Sequence, residues 1–148
     1  MNLWETFTEA VAVHFRFLKT EAGFACTLTK IPNVIFESEK LQVQVYYDAN
    51  GRHELDLGIR RLVDDPHKTL SIGIGMLMRL HGDKSGYMSP FPATPETVEA
   101  EVKRLAEILR KDGSSIFSGD LRDFDRTERL EHELAKKFAP PEYTHRFS

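Results

Sequence analysis

Residues 37–59 read ESEKLQVQVYYDANGRHELDLGI, two alternating runs joined by a short polar turn. Successive side chains of a strand point to opposite faces. Leu41, Val43, Val45 and Tyr47 therefore share one face, and Gln42, Gln44, Tyr46 and Asp48 share the other. In the second run Leu55, Leu57 and Ile59 alternate with Glu54, Asp56, Gly58 and Arg60. Between the runs lies Asp48-Ala49-Asn50-Gly51, whose Asn-Gly pair predicts the positive φ angles of a tight hairpin turn. A slip of one residue would bury the glutamines and acids, so the pattern also predicts a fixed register. The stretch is read as a β-hairpin with one face in the core. Its other face, carrying Gln42, Gln44, Tyr46, Glu54 and Asp56, is left to solvent or to a partner.

On the N-terminal side, residues 2–20 carry Leu3, Phe7, Val11, Phe15 and Leu18 at helical spacing, which predicts one helix closed by Gly23. Trp4, beside this aromatic stripe, is expected in the core. Alternation returns with Phe24, Cys26 and Leu28 on one side and Ala25, Thr27 and Thr29 on the other. That placement predicts a buried structural thiol at Cys26, not a nucleophile. Pro32 cannot donate to a ladder and marks an edge, a bulge or a turn before a short strand at Val34, Ile35 and Phe36. With the hairpin, this predicts three or four consecutive strands in an antiparallel meander.

On the C-terminal side, Asp64-Asp65-Pro66-His67-Lys68 is read as a loop. Residues 69–81 fit either a strand prolonged through SIGIG or a helix, which is placed at Gly75 to His81. Residues 82–95, GDKSGYMSPFPATP, hold three prolines and two glycines and form a long loop. It also holds Tyr87, Met88 and Phe91, side chains that either pin the loop over the core or bind a partner. Thr94-Pro95-Glu96 starts a helix with a hydroxyl cap, a proline at the first position and an acid in the first turn. Val98, Val102, Leu105 and Leu109 form its buried stripe. A last helix follows Gly119-Asp120 and stops at Pro140-Pro141, leaving residues 139–148 as a loose tail.

Composition narrows the function classes. The 148 residues are 41% hydrophobic and 29% charged, as in a water-soluble globular domain, and a single domain is expected. A net charge of -3 offers no basic footprint for nucleic acid. One cysteine excludes an internal disulfide and fits a reducing compartment. No segment approaches the roughly 20 apolar residues of a membrane span, and the N-terminus lacks the pattern of a secretory leader. A cytoplasmic location is expected.

Catalytic motifs are looked for and not found. His132-Glu133-Leu134-Ala135-Lys136 opens like a zinc-protease helix, but Lys136 stands where the second imidazole is needed. Gly73-Ile74-Gly75 lacks the third glycine of a dinucleotide loop, with Met78 at its place. The serine of Gly82-Asp83-Lys84-Ser85-Gly86 is one position too late for a nucleophile elbow. No cofactor and no metal is expected. Acids cluster at Asp64-Asp65 and at Asp120, Asp123 and Asp125; such pairs serve acid–base work or a cation, begin helices, or clamp a basic partner.

Several of these segments together resemble the immunity-protein-type domains found near bacterial toxin genes. The resemblance is carried by Phe15-Arg16-Phe17-Leu18, Gly23-Phe24, Val34-Ile35-Phe36-Glu37-Ser38 and the Leu41-Val43-Val45 alternation. It continues through Tyr47-Asp48, Glu54-Leu55-Asp56-Leu57-Gly58-Ile59, Ser71-Ile72-Gly73 and Leu77-Met78-Arg79-Leu80, spanning about residues 7–80. It implies a stoichiometric binder of a cognate protein toxin and brings no catalytic residue with it.

The expected fold is α+β: a three- to four-stranded antiparallel meander with an N-terminal helix and two to three C-terminal helices packed on it. The expected function is non-catalytic protein binding, with Tyr46, Asp64, Asp65, Asp83, Tyr87 and Phe91 as contact residues. Two alternatives stand beside it. One is a small enzyme with an acid-lined cleft beside the 82–95 loop; the other is a homodimeric module pairing through a sheet edge.

Overall fold

The computed structural model describes residues 2–62 and 70–138. Residues 63–69, with Asp64 and Asp65, and residues 139–148 lie outside the described residues, and with them the loop and the loose tail expected there from sequence. The chain is α+β. Helices α1 (Leu3–His14) and α2 (Arg16–Thr20) lead into strands β1 (Ala25–Lys30), β2 (Asn33–Glu37), β3 (Leu41–Tyr47), β4 (Leu55–Arg61) and β5 (Leu70–Gly73). Helices α3 (Ile74–Leu80), α4 (Pro95–Asp112), α5 (Ser114–Phe117) and α6 (Arg122–Phe138) complete it. No described helix is long and apolar enough to cross a membrane.

The strands form one sheet in the order β1-β2-β3-β4-β5, every neighbouring pair antiparallel. The meander thus has five strands where the sequence pattern indicates three or four. The fifth, Leu70–Gly73, is too short and too glycine-flanked to register by propensity; pairing with β4 defines it. Helix α3 then runs from Ile74, one residue from its expected start.

The central hairpin takes the expected register, with Val43 opposite Ile59, Val45 opposite Leu57 and Tyr47 opposite Leu55. All six of these side chains are buried, as is Leu41. They meet Phe7, Ala10 and Val11 of α1 and Val98, Val102, Leu105 and Leu109 of α4 in one continuous core. Asn2 caps α1 by accepting from the Glu5 amide at 2.8 Å, and Thr94 caps α4 by accepting from Thr97 at 3.2 Å. Trp4 is half-buried against this core, its ring 5.2 Å from that of Phe7.

Three local expectations are corrected. The first helix is broken at Phe15. Phe15, Phe17 and Leu18 are all buried. Residues two apart lie about 200° apart around a straight helix, so only a break turns both phenylalanines inward. Second, the hairpin turn is not a tight Asn-Gly turn: positive φ falls on His53 instead. The Asp48 carbonyl accepts from the His53 amide at 3.0 Å and its carboxylate from the Arg52 amide at 2.9 Å. A Cβ on Gly51 would lie 2.4 Å from that carboxylate, which is why a glycine stands there.

Third, Cys26 is exposed, not buried. A β-bulge between Cys26 and Leu28 places Cys26 opposite Phe36 on the helix side and Leu28 opposite Ile35 on the outer side. The simple alternation of Phe24, Cys26 and Leu28 is therefore lost. β1 is an edge strand, and all six of its residues are exposed.

Candidate functional site

Helices occupy one face of the sheet, and the other is bare among the described residues. Register fixes its content in rows across the strands. Asn33, Tyr46 and Asp56 form one row; Ile35, Gln44, Gly58 and Gly73 form the next; Glu37, Gln42, Arg60 and Ser71 form the third. The amide of Gln42 donates to Glu37 at 3.0 Å, and that of Gln44 donates to Asn33, so these long side chains are held flat on the sheet.

The middle row holds a depression. Gly58 and Gly73 face each other across β4 and β5, and the missing side chains open a trough of about 500 Å³. Gln44, Tyr46, Glu54, Asp56, Arg60 and Ser71 rim it. Neither glycine is required by its backbone: positive φ occurs at Gly23, Gly82, Gly86 and Gly119 instead. Neither is required by packing. A Cβ on Gly73 would meet nothing within 4 Å, and one on Gly58 would only touch the Ile72 carbonyl at 3.7 Å. Glycine inside a regular element costs about 0.5–1 kcal/mol relative to alanine. Two of them side by side, with no local demand, leave bare backbone open to whatever approaches.

The acidic end of the trough carries its own electrostatic signature. Partial burial pushes the Asp56 carboxyl above the usual carboxylate range, and the neighbouring Glu54 adds to the rise. The Leu57 amide donates to Asp56 at 2.7 Å and opposes it. A carboxyl whose folded value is raised binds its proton more tightly in the folded state. Its contribution to stability is complete below the unfolded value and is lost as pH rises through the folded one. Asp56→Asn, which keeps an acceptor for the Leu57 amide, is therefore expected to be more stable than the wild type at pH 7. The gap should close below about pH 4. Thermal melts of both proteins across this range check it; a gap of equal size at pH 3 and pH 7 would refute the electrostatic origin.

The 82–95 loop lies at the same end of β4. Strand β4 runs past the end of β5, and the loop covers its free edge. The Leu55 amide donates to Ser89 Oγ at 3.0 Å, and Tyr87 Oη donates to the Leu55 carbonyl at 2.9 Å. Tyr47 Oη donates to the Pro92 carbonyl at 2.6 Å. Tyr87 also reaches Glu101 Oε1 at 3.3 Å, and the Arg104 guanidinium sits 5.5 Å from its ring centre. Burial, then the Glu101 carboxylate, pushes the Tyr87 hydroxyl well above its ordinary pKa. Of the two roles open to these aromatic side chains, Tyr87 pins the loop. Met88 and Phe91 are exposed at 83% and 44%, and Phe91 is held at φ 53.

The contact residues expected from sequence are thus distributed. Tyr46 stands on the trough. Asp83 is exposed in the loop, where the hydroxyl and amide of Ser85 hold its carboxyl below the usual range. Tyr87 is half-buried, and Phe91 projects from the loop surface. Gly58, Gly73, Arg60 and Ser71 join the trough without any motif that marks them as contacts. The available signal was two glycines at solvent-face positions of otherwise apolar-alternating runs. Among the described residues no cluster of His, Cys, Asp and Glu has the arrangement to hold a metal ion.

A polar cluster centred on the buried Asp123 joins the end of α3 to α6. His81 Nε2 lies 2.8 Å from Asp123, whose other oxygen accepts from Arg126 at 2.9 Å. Arg126 also donates to the Leu80 carbonyl at 2.9 Å. Among the described residues no nucleophile joins this cluster in the hydrogen-bond network, and its groups hold the two helices together.

Together, sheet and trough define an α+β domain with one helix-covered and one open polar sheet face. No family model, curated protein sequence or solved structure matches this chain.

Proposed function

We propose that this chain is a non-catalytic, cytoplasmic bacterial binding protein of the immunity type, neutralising a cognate protein toxin by stoichiometric association. The observation supporting this reading is the open sheet face. It carries one trough and is built of Tyr46, glutamines and charges rather than convergent catalytic groups. Polar surfaces with an aromatic anchor suit protein recognition. Phe91 and Met88, exposed on a loop pinned by Tyr87 and Ser89, extend the candidate surface around the end of β4.

The enzyme alternative places a cleft beside the 82–95 loop. Ser89 Oγ, Tyr87 Oη and the Pro92 carbonyl are all engaged in fixing that loop to β4 and Tyr47; Asp83 stands on an exposed turn, and Asp64, the other acid considered for such a cleft, lies outside the described residues. The homodimer alternative has a specific support in β1, an open edge exposed on all residues. Against it stand the β-bulge at Thr27 and Lys30 on the edge, features that discourage edge-to-edge pairing.

Co-expression with the product of the neighbouring gene is the direct test. A one-to-one complex by light scattering, together with rescue of growth from that product's toxicity, is the expected result. Absence of both overturns the reading, and a stable dimer of the chain alone would favour the homodimer.

A further inference from the structure

We propose that the trough over Gly58 and Gly73 receives a basic side chain, lysine or arginine, presented by a protein partner. The proposal rests on the protein-binding reading above and names the chemistry of its central contact. The cation is held by Asp56 and Glu54, and the aliphatic stem lies along the Tyr46 ring and over the bare glycine backbone.

Three independent features converge on this occupant. The first is space without local cause: the fold needs neither glycine, yet both stand side by side at the floor of the only row that crosses Gln44. A depression of about 500 Å³ accepts a long side chain together with the backbone that carries it. The second is charge. Tyr46 pairs directly with Asp56 across β3 and β4, and Glu54 lies two residues away on the same face. Two carboxylates thus stand at this end of the trough, and no ion pair among the described residues engages either. A partner's cation there offsets the negative charge of both carboxylates.

The third feature is polarity along the trough. Arg60 stands on the same face beyond Gly58, about 13 Å from Asp56 along the strand. The cationic head is therefore directed to the Asp56 end, and a backbone carbonyl of the partner to the Arg60 end. The aromatic ring of Tyr46 adds a surface against which a methylene stem, or a guanidinium face, packs favourably.

The probe is the tripeptide acetyl-Gly-Arg-Gly-amide, titrated into isotopically labelled protein while backbone amide signals are followed. Saturable shifts centred on Asp56, Gly58 and Gly73 are expected, with a Kd on the order of 1 mM for so small a ligand. Asp56→Asn combined with Glu54→Gln should weaken binding about tenfold or more. Gly58→Val with Gly73→Thr fills the trough; it should melt at or above the wild-type temperature and show no shifts. Acetyl-Gly-Glu-Gly-amide should leave the three signals unmoved.

Absence of shifts with the arginine peptide, equal shifts with the glutamate peptide, or retained binding in the filled variant each overturns the proposal. So does a filled variant that melts well below the wild type, because the glycines would then serve the fold. A toxin complex that forms equally well with the filled variant would sink the trough alone. Tripeptide binding without any toxin complex would sink the immunity reading alone.

Discussion

Tyr47→Ala should lower the folding stability by about 4 kcal/mol, the upper part of the range for removing a large buried aromatic side chain. Tyr47 is 0% exposed, and its ring lies 5.1 Å from that of Phe7, joining the central strand to α1. Its hydroxyl donates to the Pro92 carbonyl, so the same side chain also holds the 82–95 loop. Truncation opens a cavity where sheet, helix and loop meet, and leaves that carbonyl without its donor. Tyr47→Phe isolates the second effect and should cost about 1–2 kcal/mol. For a domain of this size the alanine variant should melt about 10 °C lower or more. Equilibrium denaturation of the two variants measures both; equal losses for Phe and Ala would show that packing against Phe7 contributes little.

Asp123→Ala should cost about 2 kcal/mol, through a different mechanism. The Asp123 side chain is 7% exposed and bonds both His81 and Arg126. It also sits in the first turn of α6, where negative charge complements the helix dipole. Removing one member of a fully buried ion pair costs about 3–5 kcal/mol. Here His81 and Arg126 keep 30% and 48% of their side-chain surface, so water takes over part of the lost interaction. The loss should be local: amide exchange across α6 accelerates while the central strands keep their protection. Unchanged exchange in α6 would contradict the role assigned to this carboxylate. Asp120 makes the contrast. Its carboxyl is held down to about 2 by Arg122, but this pair is on the surface, and Asp120→Ala should shift the denaturation midpoint far less.

The outer face was legible in sequence as a composition, because strand alternation assigns every second residue without any knowledge of neighbours. Gln42, Gln44, Tyr46, Glu54 and Asp56 fall where the alternation puts them. The trough was not legible. Gly58 and Gly73 are 15 residues apart in the chain, and only the pairing of β4 with β5 sets them side by side. Nor was the partition of the 82–95 loop, since its aromatic residues look alike until β4 is seen to overrun β5 and to need a cover. Tyr87 and Ser89 satisfy that free edge; Met88 and Phe91 face outward.

By itself the sequence determined the central hairpin, its register, the identity of its two faces, the capped start of α4 and the presence of helices at both ends. These depend on periodicity and on capping chemistry, which act over a few residues. Only the tertiary structure decided the fifth strand, the break at Phe15, the exposure of Cys26 and the trough. Each depends on what lies opposite a residue rather than beside it. The bulge against β2 sets which face each residue of β1 takes, and an opening between strands exists only once both are paired.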